Sequence, residues 1–139
     1  MPSVGLPPGT LVDSNVLLDL FTDDPQWAEW SEAKLADAFD RGPTVINPII
    51  YAEISIRFAT IEELEHALPV ELEREALPWE AGVLAGKCFV EYRGRREGRR
   101  SPLPDFYIGA HAAVTRCSLL TRDPARYRSL LPRLTLISP

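Results

Sequence analysis

No apolar run in this chain of 139 residues approaches the roughly 18 residues that a membrane-spanning helix needs, so a membrane role is not expected. The opening MPSVGLPPGT lacks the basic start and apolar stretch of a secretory signal. Only two cysteines are present, Cys88 and Cys117, each inside a helix-like apolar segment where a buried free thiol is the expectation. There is no glycine-rich loop of the Walker or dinucleotide type, which excludes those nucleotide-binding classes. The two histidines, His66 and His111, have no Ser or Cys nucleophile at a catalytic spacing. His111 lies six residues beyond Asp105, roughly 240° around a helix from it. Both read as surface or internally satisfied side chains. Asp13-Ser14-Asn15 also lacks the second aspartate that a haloacid-dehalogenase-type phosphatase uses for its acid–base step. The expectation left by these absences is a soluble, reduced, cytoplasmic domain.

What is present is ordinary in amount and uneven in placement. Hydrophobic residues make up 45% and charged residues 25%, the composition of a globular domain. The length suits a single domain over 1–139, with residues 1–9 as an extended Pro-rich lead-in, and allows burial of roughly two-thirds of the unfolded surface. Residues 1–92 carry 17 acids against 5 bases, whereas 93–139 carry 3 against 10. Arg93, Arg95, Arg96, Arg99 and Arg100 form the one dense basic stretch. It reads as a mobile loop between two helices. Its arginines, with no lysine among them, suit phosphate recognition, and a solvated connector is the competing reading.

Hydrophobic periodicity and turn residues order the chain. Thr10–Asp13 predicts a first strand, Asn15–Phe21 a helix, and Gln26–Asp40 an amphipathic helix ending at Gly42-Pro43. Thr44–Asn47 predicts a second strand, and Pro48 opens a helix to about Phe58. Thr60 and Glu63 form a capping box for a helix to Leu68. Ala76–Pro78 is the candidate third strand, followed by helices over Trp79–Arg93 and Asp105–Cys117. Ser118–Thr121, Pro124–Leu131 and Leu134–Ser138 predict strand, helix and strand. Strands alternating with helices specify an α/β layered domain with a mostly parallel sheet.

Four carboxylates stand where apolar runs end or helices begin: Asp13 in TLVDSN, Glu53 in NPIIYAEI, Asp105 in PLPDFYIGA and Asp123 in SLLTRDP. Singly, Asp13 and Asp123 could be helix N-caps, and Asp105 could simply meet the positive end of a helix. Glu53 is set among Ile49, Ile50, Ala52, Ile54 and Ile56, where a carboxylate needs a partner. Together they would converge on the carboxyl edge of a parallel sheet, where ligands bind. Like charges so grouped repel unless cations hold them, and an all-oxygen set suits Mg²⁺ or Mn²⁺ and phosphate chemistry. Ser14, Asn15 and Thr121 flank the acids and can steady them.

LVDSNVLLDL, PIIYAE, PDFYIGAHA and LLTRDPARY, in that order, resemble the PIN-domain ribonucleases, with the VapC-like toxins of toxin–antitoxin pairs the nearest branch. The resemblance spans residues 10–138. It implies a PIN-like α/β/α sandwich with about five strands. It also implies that Asp13, Glu53, Asp105 and Asp123 serve in catalysis. Asp13, Asp105 and Asp123 would bind Mg²⁺ or Mn²⁺, and Thr121 matches a small hydroxyl residue before the last acid. RNA would be the substrate, a cognate antitoxin the partner, and a homodimer the assembly. Trp27 and Trp30, three apart on a charged helix, are expected to meet the antitoxin, and the Arg93–Arg100 stretch to meet RNA. The competing reading is a catalytically idle PIN fold that binds RNA or protein. The Pro-rich lead and the arginine density depart from the toxin pattern.

Overall fold

The computed structural model describes residues 9–95, 103–129 and 131–139; all but Gly9 of the expected Pro-rich lead-in lies outside them. In chain order the elements are β1 (Thr10–Val12), α1 (Ser14–Phe21), α2 (Ala28–Arg41), β2 (Thr44–Ile46), α3 (Pro48–Ser55) and α4 (Ile61–Ala67). They continue with β3 (Glu73–Arg74), α5 (Trp79–Arg95), α6 (Leu103–Thr115), β4 (Ser118–Leu120), α7 (Ala125–Arg128) and β5 (Leu136–Ile137). The strands form one parallel sheet in the order β3-β2-β1-β4-β5. The expectation of an α/β domain with a mostly parallel sheet of about five strands therefore holds.

Strand order reverses at β1, which pairs with β2 on one side and β4 on the other. Such a switch point opens a crevice at the carboxyl ends of the two central strands. Asp13 follows β1 and Thr121 follows β4, so chain topology alone brings TLVD and SLLT to the same crevice. The central strands are buried throughout β1 and β2, which explains their unbroken apolar runs. Leu11, Val12, Val16, Leu17, Ile46, Ile50, Leu119 and Leu120 form the middle of the main core. A smaller cluster of Ala81, Ala85, Cys88, Phe106, Ala110 and Leu131 fastens α5 to α6. Cys88 is buried and Cys117 half-buried, and both are free thiols.

Three expectations are corrected. The third strand is Glu73–Arg74, not Ala76–Pro78: these exposed residues lie at a sheet edge and pair with Val45 and Ile46 through backbone alone. The helix expected over Pro124–Leu131 is a single turn, Ala125–Arg128. The expected loop from Arg93 is still helix through Arg95, because α5 continues past its last buried apolar residue. Among the described residues no helix is long and apolar enough to cross a membrane.

His111 is fully buried and internally satisfied, as expected, whereas His66 is exposed. The Oδ1 atom of Asn47 accepts the Ile50 N–H at 2.9 Å, which turns its amide group toward His111 Nδ1 at 3.0 Å. Nδ1 therefore accepts, and Nε2 carries the proton toward Glu75 Oε1 at 2.7 Å.

Candidate active site

Asp13 leaves β1 in an extended conformation and caps α1, with Oδ1 accepting the Ser14 N–H at 2.8 Å. Its other oxygen accepts from Thr121 Oγ1 at 2.8 Å, the Tyr127 hydroxyl at 2.9 Å and Asn15 Nδ2 at 3.4 Å. The residue is only 3% exposed. Burial pushes its carboxyl above the ordinary value of 3.8, against the pull of Thr121, Tyr127 and Ser14, and the charge of Asp105 adds to the rise. Tyr127 is buried too. Burial, together with the charge of Asp13, holds its hydroxyl well above the ordinary 10.0, so it remains a donor at neutral pH.

Thr121 ties the two central strand ends together. Its Oγ1 donates to Asp13 while accepting from the Asp123 N–H at 3.1 Å and from Asn15 Nδ2 at 3.3 Å. Asn15 Oδ1 accepts the Arg122 N–H at 3.1 Å. The β1–α1 and β4–α7 turns are thus stitched through side chains at the switch point.

Glu53 lies in the second turn of α3 and accepts from Ser14 Oγ at 2.9 Å. Burial raises its carboxyl above the ordinary 4.5, opposed by the Ser14 hydrogen bond; Asp13 and Asp105 push it up and Arg126 pulls it down. The surroundings of Glu53 are less apolar than the sequence suggests. Ile50 and Ile54 are buried, but Ile56 is 83% exposed, so Glu53 sits at the border of the buried stripe.

Asp105 lies in the first turn of α6, with a side chain only 6% exposed. Arg126 joins it to Asp123: Nη1 is 3.1 Å from Asp105 Oδ1 and Nη2 is 3.0 Å from Asp123 Oδ2. Asp123 does not cap α7; Pro124 holds the cap position with no side-chain bond.

The four acids therefore meet at one sheet edge in two linked sets, Asp13–Ser14–Glu53 and Asp105–Arg126–Asp123. Among the described residues, no three His, Cys, Asp or Glu side chains stand close enough to hold a metal ion as they are. The donor set nevertheless fits a hard cation. It is all oxygen, and a guanidinium already occupies a cation's place between Asp105 and Asp123.

Ser14, Asn15 and Thr121, read from sequence as supports, do bond the acids. Of the expected RNA-binding arginines, Arg93 lies on α5 with its guanidinium 5.6 Å from the centre of the Phe89 ring. Arg95 ends that helix, with its side chain outside the described part, as are Arg96, Arg99 and Arg100 altogether. Trp27 and Trp30 form an edge-to-face pair 6.1 Å apart, and Trp30 packs against the main core. Arg126 and Tyr127 went unnoticed in the sequence. The signals were the i, i+3 spacing of Asp123 and Arg126 and the lone aromatic residue in RDPARYR. Arg122 was also missed: it pairs bidentately with buried Asp19 at 2.9 Å and stacks over Trp27.

A family model described as PIN domain matches residues 10–128. No curated protein matches the chain. Among solved structures, VapBC2 from Rickettsia felis, bound to a DNA fragment from its promoter, is similar with a TM-score of 0.73 and 17% identity. That alignment covers 93% of this chain and 97% of the other. A toxin–antitoxin complex from Klebsiella pneumoniae gives 0.67 and 20%, over 93% and 96%. VapC20 from Mycobacterium tuberculosis, a sarcin–ricin loop cleaving toxin, gives 0.63 and 12%, over 87% and 95%.

Proposed function

Because this chain belongs to the PIN domain family, we propose that it is a Mg²⁺- or Mn²⁺-dependent endoribonuclease acting as the toxin of a toxin–antitoxin pair. The observation that supports this most is the meeting of four carboxylates from four separate segments at the switch point of a parallel sheet. Burial raises the carboxyls of Asp13 and Glu53, and the charge of Asp105 on both, with that of Asp13 on Glu53, adds to the rise. Such a cluster is costly to a fold unless a cation serves it. The toxin assignment draws on the structural relatives, one named as a toxin and another as a toxin–antitoxin complex.

Asp13, Asp105 and Asp123 would hold the metal, and Glu53 would orient the attacking water or complete the ligand set. A bound divalent ion would supply Lewis-acid activation of that water and neutralise charge at the phosphate. Thr121 and Tyr127 fix the rotamer of Asp13, and Ser14 fixes Glu53, so the carboxylates need little reorganisation during reaction. The arginines Arg93, Arg95, Arg96, Arg99 and Arg100 would offset the negative site along an RNA strand without reading its sequence. Trp27 and Trp30 would meet the antitoxin, and a second copy of the chain would complete a homodimer.

The lack of a closed three-acid cage among the described residues is the one observation favouring an idle RNA- or protein-binding module. RNA cleavage by the purified chain separates the readings. We expect endonucleolytic products with Mg²⁺ or Mn²⁺, none with EDTA, and recovery when the ion is restored. Binding of RNA without turnover under any divalent ion would support the module.

A further inference from the structure

Two arginines of the segment RDPAR are used differently. Arg122 is 31% exposed, pairs with a carboxylate that is 3% exposed, and lies over the Trp27 ring. That is a fixed strut. Arg126 is 39% exposed, sits on a helix of a single turn, and spreads its two terminal nitrogens over Asp105 of α6 and Asp123 of the turn between β4 and α7. One of them, Asp123, is itself 41% exposed, so this bridge is open to solvent on one side.

We propose that Arg126 is a resident counter-ion, which a divalent cation must displace from Asp105 and Asp123 and which then turns to the RNA phosphate. The inference rests on the reading of the acids as a metal site, and it accounts for the absence of a closed cage among the described residues. With Arg126 in place, Asp105 and Asp123 are drawn to a guanidinium. A divalent ion held by these two carboxylates would stand within a few ångströms of the guanidinium, and two cations at that separation repel. Exposure and a short helix leave the side chain room to swing outward. A planar fork of N–H donors matches phosphate geometry, and a released Arg126 would lie beside the bond to be cut. The negative edge would thus accept RNA only once metal has arrived.

The test is calorimetric titration of Mn²⁺ into the full chain and its Arg126→Gln and Arg126→Lys variants. Gln keeps much of the side-chain length without charge, so folding can be checked by melting before titration. Because a charge-assisted pair of contacts is lost to the competitor, we expect about tenfold tighter Mn²⁺ binding in Arg126→Gln, with Arg126→Lys in between. A hydrolysis-resistant phosphorothioate RNA oligonucleotide, its integrity checked after the titration, should bind Arg126→Gln a few-fold more weakly than wild type in Mn²⁺, and equally in EDTA. Equal or weaker Mn²⁺ affinity in a folded Arg126→Gln protein overturns the inference and leaves the metal site standing. An oligonucleotide defect that persists in EDTA overturns the metal-gated step. If none of the three proteins binds Mn²⁺, the reading of the acids as a metal site falls, and this inference with it.

Discussion

Asp13→Asn is expected to lower RNA cleavage on the order of 10³-fold while the fold is retained. The amide keeps the shape of the side chain and can still accept the Ser14 N–H that caps α1. It loses the charge and also the Oδ2 acceptor of the Thr121 and Tyr127 hydroxyls, which must turn to accept from the new amide. The stability effect of the lost charge has a definite sign. Asp13 is raised in the folded protein above its ordinary 3.8, so the folded state takes up its proton more readily than the unfolded chain does. Near pH 7 the ionised, buried carboxylate therefore costs stability, and that cost shrinks as pH falls through the raised value toward 3.8. Glu53, raised above 4.5 mainly by burial, works in the same direction in both proteins. Melting curves in EDTA should then show the Asn variant gaining stability relative to wild type as pH rises from about 4 to 7. Near-normal cleavage by the variant would remove Asp13 from the catalytic set.

Arg122→Ala should destabilise the protein by roughly 2–3 kcal/mol. Its partner Asp19 is 2% exposed and would keep only the Ser31 hydroxyl, at 2.8 Å, of its present side-chain donors. A fully buried pair broken on one side costs about 3–5 kcal/mol; the partial exposure of Arg122 reduces that figure. The variant also removes the guanidinium from the Trp27 ring. Arg126→Ala should cost less, about 1–2 kcal/mol, because its contact with half-exposed Asp123 is worth little and a more exposed arginine is removed from Asp105. Urea denaturation of both variants at neutral pH measures the difference. Equal losses would show that the two arginines are not divided into strut and counter-ion.

The parts of this fold legible in the sequence are those where burial leaves a continuous apolar mark. TLV, TVI and SLL are central strands, and each announces itself by composition. The acids at Asp13 and Asp123 could be placed because they follow such runs, and the neighbouring positions of β1 and β4 bring those runs together. The edges left no such mark. Glu73 and Arg74 are exposed and charged, and they join the sheet only through backbone pairing with β2. Tyr127 was hidden for a different reason. Its position depends on Gly109 in α6, where an added Cβ would meet Leu131 at 2.7 Å and the Tyr127 ring at 3.0 Å. A close approach between α6 and α7, distant in sequence, is not written in either segment alone. Arg126 left only its i, i+3 spacing to Asp123 as a sign, because its other partner, Asp105, comes from α6 and α7 is too short to show a periodic pattern.

The most direct measurement of the central claim is anomalous scattering from crystals soaked in Mn²⁺. The account predicts a peak within ligand distance, about 2.0–2.3 Å, of oxygens from Asp13 and Asp105, with Arg126 withdrawn from Asp105 and Asp123. A Mn²⁺ peak elsewhere on the molecule, or none at a concentration that supports RNA cleavage, would contradict it.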